Sequence, residues 1–275
     1  MKKDLVVCGA QIESVTGDID ANLDKGAEWI EKCVGTYSAD LVVFPETVTT
    51  GFNTGLGPEK LNSIVDEIPG KTTDKIAESA RKNKTHVIWT TYEKAPGGKV
   101  YNSAVLITDK GEIAGIYRKV HPFPAEREWT TPGNSADVFT TDIGKIGIFI
   151  CFDGDFAELA RIMGIKGADI IARPSAFLRS FDTWSLTNRA RAYDSRAHLV
   201  AVNQVGGDNS SSNYYGHSMI VTPQGHRIAQ ALSNEEIVHA KLTNELLNYA
   251  SYGDSVPMLS DNIKLRRPEA YEGLL

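Results

Sequence analysis

Apolar residues recur along this chain in short unbroken runs that end on polar or charged side chains. Residues 5–12, 40–46, 86–92, 146–150, 168–175 and 198–203 all read this way. Near-continuous apolar character over so few residues predicts strands of a sheet covered on both faces. Between the runs the spacing changes to three or four. A helix opens at Asp20 with Leu23, Ala27, Ile30 and Val34 on one face, and Cys33 adjoins that face as packing. Residues 72–82 predict a second helix, the stretch from Phe156 with Leu159, Ile162 and Met163 a third, and the arginine-rich residues 183–196 a fourth. Residues 101–107 and 113–119 form a hairpin about Asp109-Lys110-Gly111, strands follow near Val138 and Ile146, and residues 216–221 with Thr222-Pro223-Gln224-Gly225 begin a last hairpin. Strands alternating with helices predict an α/β fold, and the hairpins make part of the sheet antiparallel. The run from Asp40 to Glu46 resembles the run from Asp169 to Ser175, which predicts two related layers. No linker or composition break interrupts residues 1–275, so one domain is expected. The tail from about residue 251 lacks periodicity and is expected to wrap another surface or contact a partner subunit.

Composition narrows the function. Of 275 residues 41% are hydrophobic and 23% charged, as in an ordinary globular protein. A net charge of −6 without a basic cluster argues against nucleic acid or an anionic membrane as partner. Cys8, Cys33 and Cys151 make neither a disulfide framework nor a zinc-type spacing, so free thiols in a reducing compartment, the cytoplasm, are expected. No apolar run is long enough to span a bilayer, and the polar residues near the start leave no room for a signal-peptide core.

The chemistry gathers where strands end. The run 146–150 stops at Cys151, and Asp153-Gly154-Asp155 then leads into a helix. A strand-to-helix turn lifts a nucleophile above the sheet and aims free backbone N–H groups at it. A buried structural cysteine is the alternative. Other strand ends carry Glu46, Lys119 and, less specifically, Arg173 and Ser175. A thiol needs a base or a nearby cation to become a thiolate, and no Cys–His pairing is signalled. Glu46 can take the proton and later activate water. Lys119 can stabilise thiolate and oxyanion, with the Phe152 N–H as second donor.

These segments resemble those of the nitrilase superfamily of carbon–nitrogen hydrolases. Phe44-Pro45-Glu46 is similar to its glutamate motif, Tyr117-Arg118-Lys119-Val120-His121 to its lysine motif, and the run from Gly147 to Asp153 to its cysteine motif. Residues 189–194, Asn203 and Gly216-His217-Ser218 also fall where the family has similar runs, so the likeness extends from Leu5 to about Ala240. It implies a four-layer αββα sandwich with Glu46, Lys119 and Cys151 as catalytic triad. A second glutamate is also implied, Glu126 or Glu128, with Glu126 in the better register. The implied reaction is hydrolysis of a small-molecule amide through a thioester, with no metal or organic cofactor. Cys151-Phe152-Asp153 leans towards amides over nitriles, while an N-carbamoyl amide would present the same atoms. Asp155 stands where omega-amidase-like members carry an arginine, which argues against a substrate bearing an α-carboxylate. Phe123, Trp129 and Phe177, with Ser175 and Phe152, are expected around the substrate. The family also implies pairing into a homodimer or larger assembly. Helix 184–196 suits that contact, or is a solvated face over Leu186 and Ala190. A binding protein on the same scaffold is the alternative from another class.

Overall fold

The computed structural model describes residues 1–208, 212–243, 250–252, 256–258 and 262–271. The first strand, β1 (Leu5–Gln11), is covered on both faces: Leu5 and Val7 pack towards Ile148 and Val202 of a second sheet, while Cys8 and Ala10 pack against Leu23, Ile30 and Cys33 of α1 (Ile19–Tyr37). Strands β2 (Leu41–Val43) and β3 (His86–Ala95) run parallel to β1, with α2 (Pro58–Ile64) and α3 (Lys71–Asn83) between them in the chain. The antiparallel β4 (Lys99–Ile107) and β5 (Ile113–Arg118) follow.

The second half repeats the plan. Strands β6 (Val138–Thr141), β7 (Gly144–Ile148), β8 (Ile170–Ser175) and β9 (His198–Asn203) enclose α4 (Ala157–Ile165) and α5 (Phe181–Ser195). A small ribbon of β10 (Val205–Gly207) and β11 (Asn213–Tyr215) precedes β12 (Met219–Val221) and β13 (Arg227–Gln230). The chain then returns to the first sheet as β14 (Glu236–Leu242), antiparallel to β1 along its full length. The two six-stranded sheets have orders β14-β1-β2-β3-β4-β5 and β13-β12-β9-β8-β7-β6. Helices α1 and α3 cover the outer face of one, α4 and α5 that of the other, giving the four αββα layers. The sheets approach closely at Gly9, where a Cβ would stand 2.7 Å from the Val202 side chain. Only glycine fits there.

Parallel β1, β2 and β3, and parallel β7, β8 and β9, send their carboxyl ends to one end of the sandwich. Hairpin β4–β5 brings the end of β5 to the same place. Two elements depart from the pattern reading. Helix α2 carries one fully buried residue, Leu61, too few to show a period. On α5 the buried face is Trp184, Asn188, Ala192 and Ser195, whereas Leu186, expected underneath, is 68% exposed. Much of the tail from 251 lies outside the described residues. Among the described residues no helix is long and apolar enough to cross a membrane.

Candidate active site

Three strand ends deliver Glu46, Lys119 and Cys151 to one buried spot. Glu46 follows β2, and its backbone is tied across the sheets: its N–H donates to the Ser175 carbonyl at 3.4 Å and its carbonyl accepts from Gln204 Nε2 at 2.6 Å. Its carboxylate accepts from Lys119 Nζ at 2.5 Å and Asn102 Nδ2 at 2.8 Å on Oε1, and from the Ala176 N–H at 2.8 Å on Oε2. Lys119 follows β5 and reaches a second carboxylate, Glu126 Oε2, at 2.6 Å. Glu126 also accepts from Asn102 at 2.7 Å and the Phe123 N–H at 3.0 Å. Glu128 is exposed, whereas a 3₁₀ turn (Pro124–Glu128) points Glu126 inward. Asn102, which bridges both carboxylates, carried no signal in the sequence.

Cys151 opens a 3₁₀ turn (Cys151–Asp155) just past β7 and has φ of 46°. A left-handed conformation strains any residue with a Cβ, by about 1–3 kcal/mol, and persists only where its surroundings enforce it. Three groups do so. Arg173 donates from Nε and Nη2 to the Cys151 carbonyl at 3.0 and 2.7 Å. Buried Asp153 accepts from the Ile150 N–H at 3.0 Å, from Tyr117 Oη at 2.7 Å and from the His121 N–H at 2.8 Å. Gly154 leaves room for the Arg173 guanidinium where a Cβ would overlap it. Asp153 thus joins the cysteine turn to the segment bearing Lys119. Thr47, next to Glu46, is also left-handed, with φ of 48°.

Electrostatics follow from this burial. Burial opposes the Lys119 ammonium, but Glu126 and Glu46 outweigh it and hold its pKa above the ordinary lysine value. Burial, and then the charge of Glu46, push the Cys151 thiol up, against the pull of Lys119 and Arg173. Both effects favour the thiol over the thiolate in the resting site.

Above Cys151 opens a small apolar cavity lined by Phe52, Phe123, Phe152, Ala176, Phe177, Leu178 and Arg179. Two residues expected there lie elsewhere. Trp129 stands behind the lining, its Nε1 donating to Tyr92 Oη at 3.1 Å and its ring against Phe52. Ser175 points away as well, and its carbonyl serves to hold Glu46. Phe52 and Arg179 were not foreseen. Arg179 bears on the expectation drawn from Asp155: Asp155 accepts from Arg179 Nη2 at 2.7 Å and so helps set a guanidinium at the cavity wall, over Phe177 and Phe152. The sequence signal for a cation was missing at one position and present at another.

Comparisons with known proteins agree with this fold. The carbon-nitrogen hydrolase family model matches residues 7–250. The chain is 32% identical to a probable nitrilase, C965.09, of Schizosaccharomyces pombe, over 94% of each chain. It is 28% identical to the omega-amidase NIT2 of Homo sapiens, over 92% of each. Among solved structures, Saccharomyces cerevisiae Nit3, a member of branch 10 of the nitrilase superfamily, superposes with a TM-score of 0.81 at 30% identity, covering 90% of this chain and 93% of that one. A carbon-nitrogen hydrolase of Helicobacter pylori G27 gives 0.86 at 26% identity over 98% of each.

Proposed function

Because the chain belongs to the carbon-nitrogen hydrolase family and is a hydrolase of carbon–nitrogen bonds, we propose that it cleaves a small carboxamide through a thioester on Cys151. The observation that carries this reading is Lys119 held between Glu46 and Glu126 beside a strained Cys151.

In the first half-reaction Glu46 takes the thiol proton as sulfur attacks the amide carbonyl. Lys119 and the Phe152 N–H hold the oxyanion. Protonated Glu46 returns the proton to the leaving nitrogen, the C–N bond breaks and ammonia departs. In the second, Glu46 removes a proton from water, the hydroxyl adds to the thioester, and the C–S bond breaks to free the acid and restore the thiol. Glu126 has three donors already and about one acceptor site left, enough to orient the amide N–H. Glu46 carries each proton between the thiol, the leaving nitrogen and water, so the reaction asks for no cofactor.

The aromatic lining of the cavity suits a small acyl group. Arg179 gives up one N–H to Asp155 and keeps others for a carboxylate. We therefore favour the monoamide of a short dicarboxylic acid, in keeping with the relatives named omega-amidases. The chain works in this reading as one domain in a reducing compartment. Two copies meet through α5, where Leu186 is 68% and Tyr193 55% exposed. Leu186→Lys should then yield a monomer by light scattering.

The test is ammonia release from monoamides of dicarboxylic acids, neutral amides, N-carbamoyl compounds and nitriles, with Cys151→Ala alongside. Amide turnover that disappears in the variant is expected. Arg179→Gln should cost about tenfold or more in kcat/KM for the anionic amide and little for the neutral one. Turnover confined to nitriles would replace the substrate class. A panel inert throughout, with Cys151 also slow towards an alkylating agent, would favour a binding protein.

A further inference from the structure

Three side chains converge at the end of the sheets remote from Cys151 and take no part in the reaction above. Strands β3, β5 and β7 all run towards the active site, so the start of β3, the β4–β5 turn and the β6–β7 turn gather at the opposite end. His86 opens β3, Asp109 lies in the β4–β5 turn and Asp142 in the β6–β7 turn. One donor atom from each lies within 4.8 Å of the other two, and among the described residues no other trio of His, Cys, Asp or Glu does this.

His86 supplies the feature that points to a ligand. Its side chain is 2% exposed, and Nε2 has no hydrogen-bond partner. Asp142 Oδ1 stands 3.0 Å from that nitrogen but is not aligned with it as a hydrogen bond. A buried ring nitrogen left this way is uncommon. Beside two carboxylates it is half of what a divalent cation needs.

We propose that His86, Asp109 and Asp142 form a binding site for a divalent transition metal that fastens the two sheets together. His86 and Asp109 belong to the first sheet and Asp142 to the second, so a shared ion would bridge the layers. The mixed nitrogen and oxygen donors suit Zn²⁺, Co²⁺ or Mn²⁺ better than Ca²⁺ or Mg²⁺, which take oxygen alone. Two carboxylates match the charge of the ion. Bonds of about 2.1 Å in a tetrahedral site put donors about 3.4 Å apart, so the carboxylates must draw inward. They are free to do so, because Asp142 is 72% exposed and Asp109 half-buried, both on turns. His86 is the fixed member, its backbone N–H donating to the Asp40 carbonyl at 2.9 Å. Two amino-terminal cations are engaged by other carboxylates, Lys2 by Asp40 at 2.6 Å and the Met1 ammonium by Asp169 at 3.2 Å. Water completes the coordination.

The test is titration of the full chain with CoCl₂ in the Cys151→Ala background, which removes the competing active-site thiol, followed by optical absorption and thermal unfolding. One equivalent of Co²⁺ should bind with ligand-field bands, no thiolate charge-transfer band, and a Tm that rises with metal concentration. Asp109→Asn and Asp142→Asn lie on surface turns and should fold, yet each should weaken binding tenfold or more; His86→Ala should abolish it. Failure to bind one equivalent, or binding that survives both aspartate substitutions, overturns the proposal. So does an imidazole of His86 that merely ion-pairs with Asp142 and excludes Co²⁺. None of these results depends on hydrolysis.

Discussion

Two cations lie fully buried within this site, and they are held in opposite ways. Lys119 sits between the carboxylates of Glu46 and Glu126, and its charge is reinforced. Arg173 has neutral partners for most of its donors, namely the Cys151 carbonyl, Thr187 Oγ1 at 2.9 Å and Asn188 Oδ1 at 2.7 Å. Its nearest paired carboxylate, Asp155, is 3.9 Å away. Burial therefore dominates and draws Arg173 down to about 10. The difference separates two tasks. Lys119 is arranged as a charge poised for a developing oxyanion, whereas Arg173 is arranged as a fork that fixes the backbone of a strained nucleophile.

Substitutions can break that division of labour. The largest effect should come from Lys119→Met. It removes the oxyanion cation and leaves two buried carboxylates face to face, so kcat/KM should fall about 10³-fold or more. Glu126, already pushed up by burial, should then take a proton. Arg173→Met should act through geometry. With the Cys151 carbonyl unsupported, a shift of the sulfur by about 1 Å would lower kcat about 10²-fold, while stability falls by only about 1–3 kcal/mol. Equal losses in the two variants, measured by steady-state kinetics, would erase the distinction. Gly154→Ala should resemble a weaker Arg173 variant, because the new Cβ meets the guanidinium; denaturant unfolding should show about 1–3 kcal/mol lost.

The smallest effect concerns pH. Unfolded cysteine ionises near pH 8.5, but the folded Cys151 thiol is held above that value by burial and then by Glu46. Below pH 8.5 both states are protonated and the contribution is complete. Above it the unfolded chain binds fewer protons, so stability declines as pH rises, by at most about 1.4 kcal/mol per pH unit. Cys151→Ala should lessen that decline between about pH 8.5 and 10, leaving the part due to Cys33, whose thiol is also held up by its hydrogen bond to Cys8 and by burial.

The same contrast explains what could be read from the sequence. Glu46, Lys119 and Cys151 were legible because each ends an apolar strand, and a polar residue at such an end marks the rim of the sheet. The span of β9, residues 198–203, was legible in full for the same reason. Asn102 and Asp153 were not, since their meaning lies in partners 24 to 56 residues away. Arg173 was placed at its strand end, but nothing local says that its fork reaches the carbonyl of Cys151. The pairing of β14 with β1 joins the two ends of the fold, and neither strand specifies the other. Trp129 and Ser175 misled because nearness in sequence to the site stood in for direction. Leu186 misled because α5 buries a stripe containing Asn188 and Ser195, so hydrophobicity does not mark its inner face.

The central claim is that Cys151 carries the acyl group. It is tested most directly by acid-quenching the protein during turnover of an amide substrate and measuring the intact mass, then the mass of the peptide containing Cys151. An adduct equal to the acyl group, located on Cys151 and absent in Cys151→Ala, is the predicted result. Ammonia release that continues in Cys151→Ala, with no adduct on the wild-type chain, would contradict it.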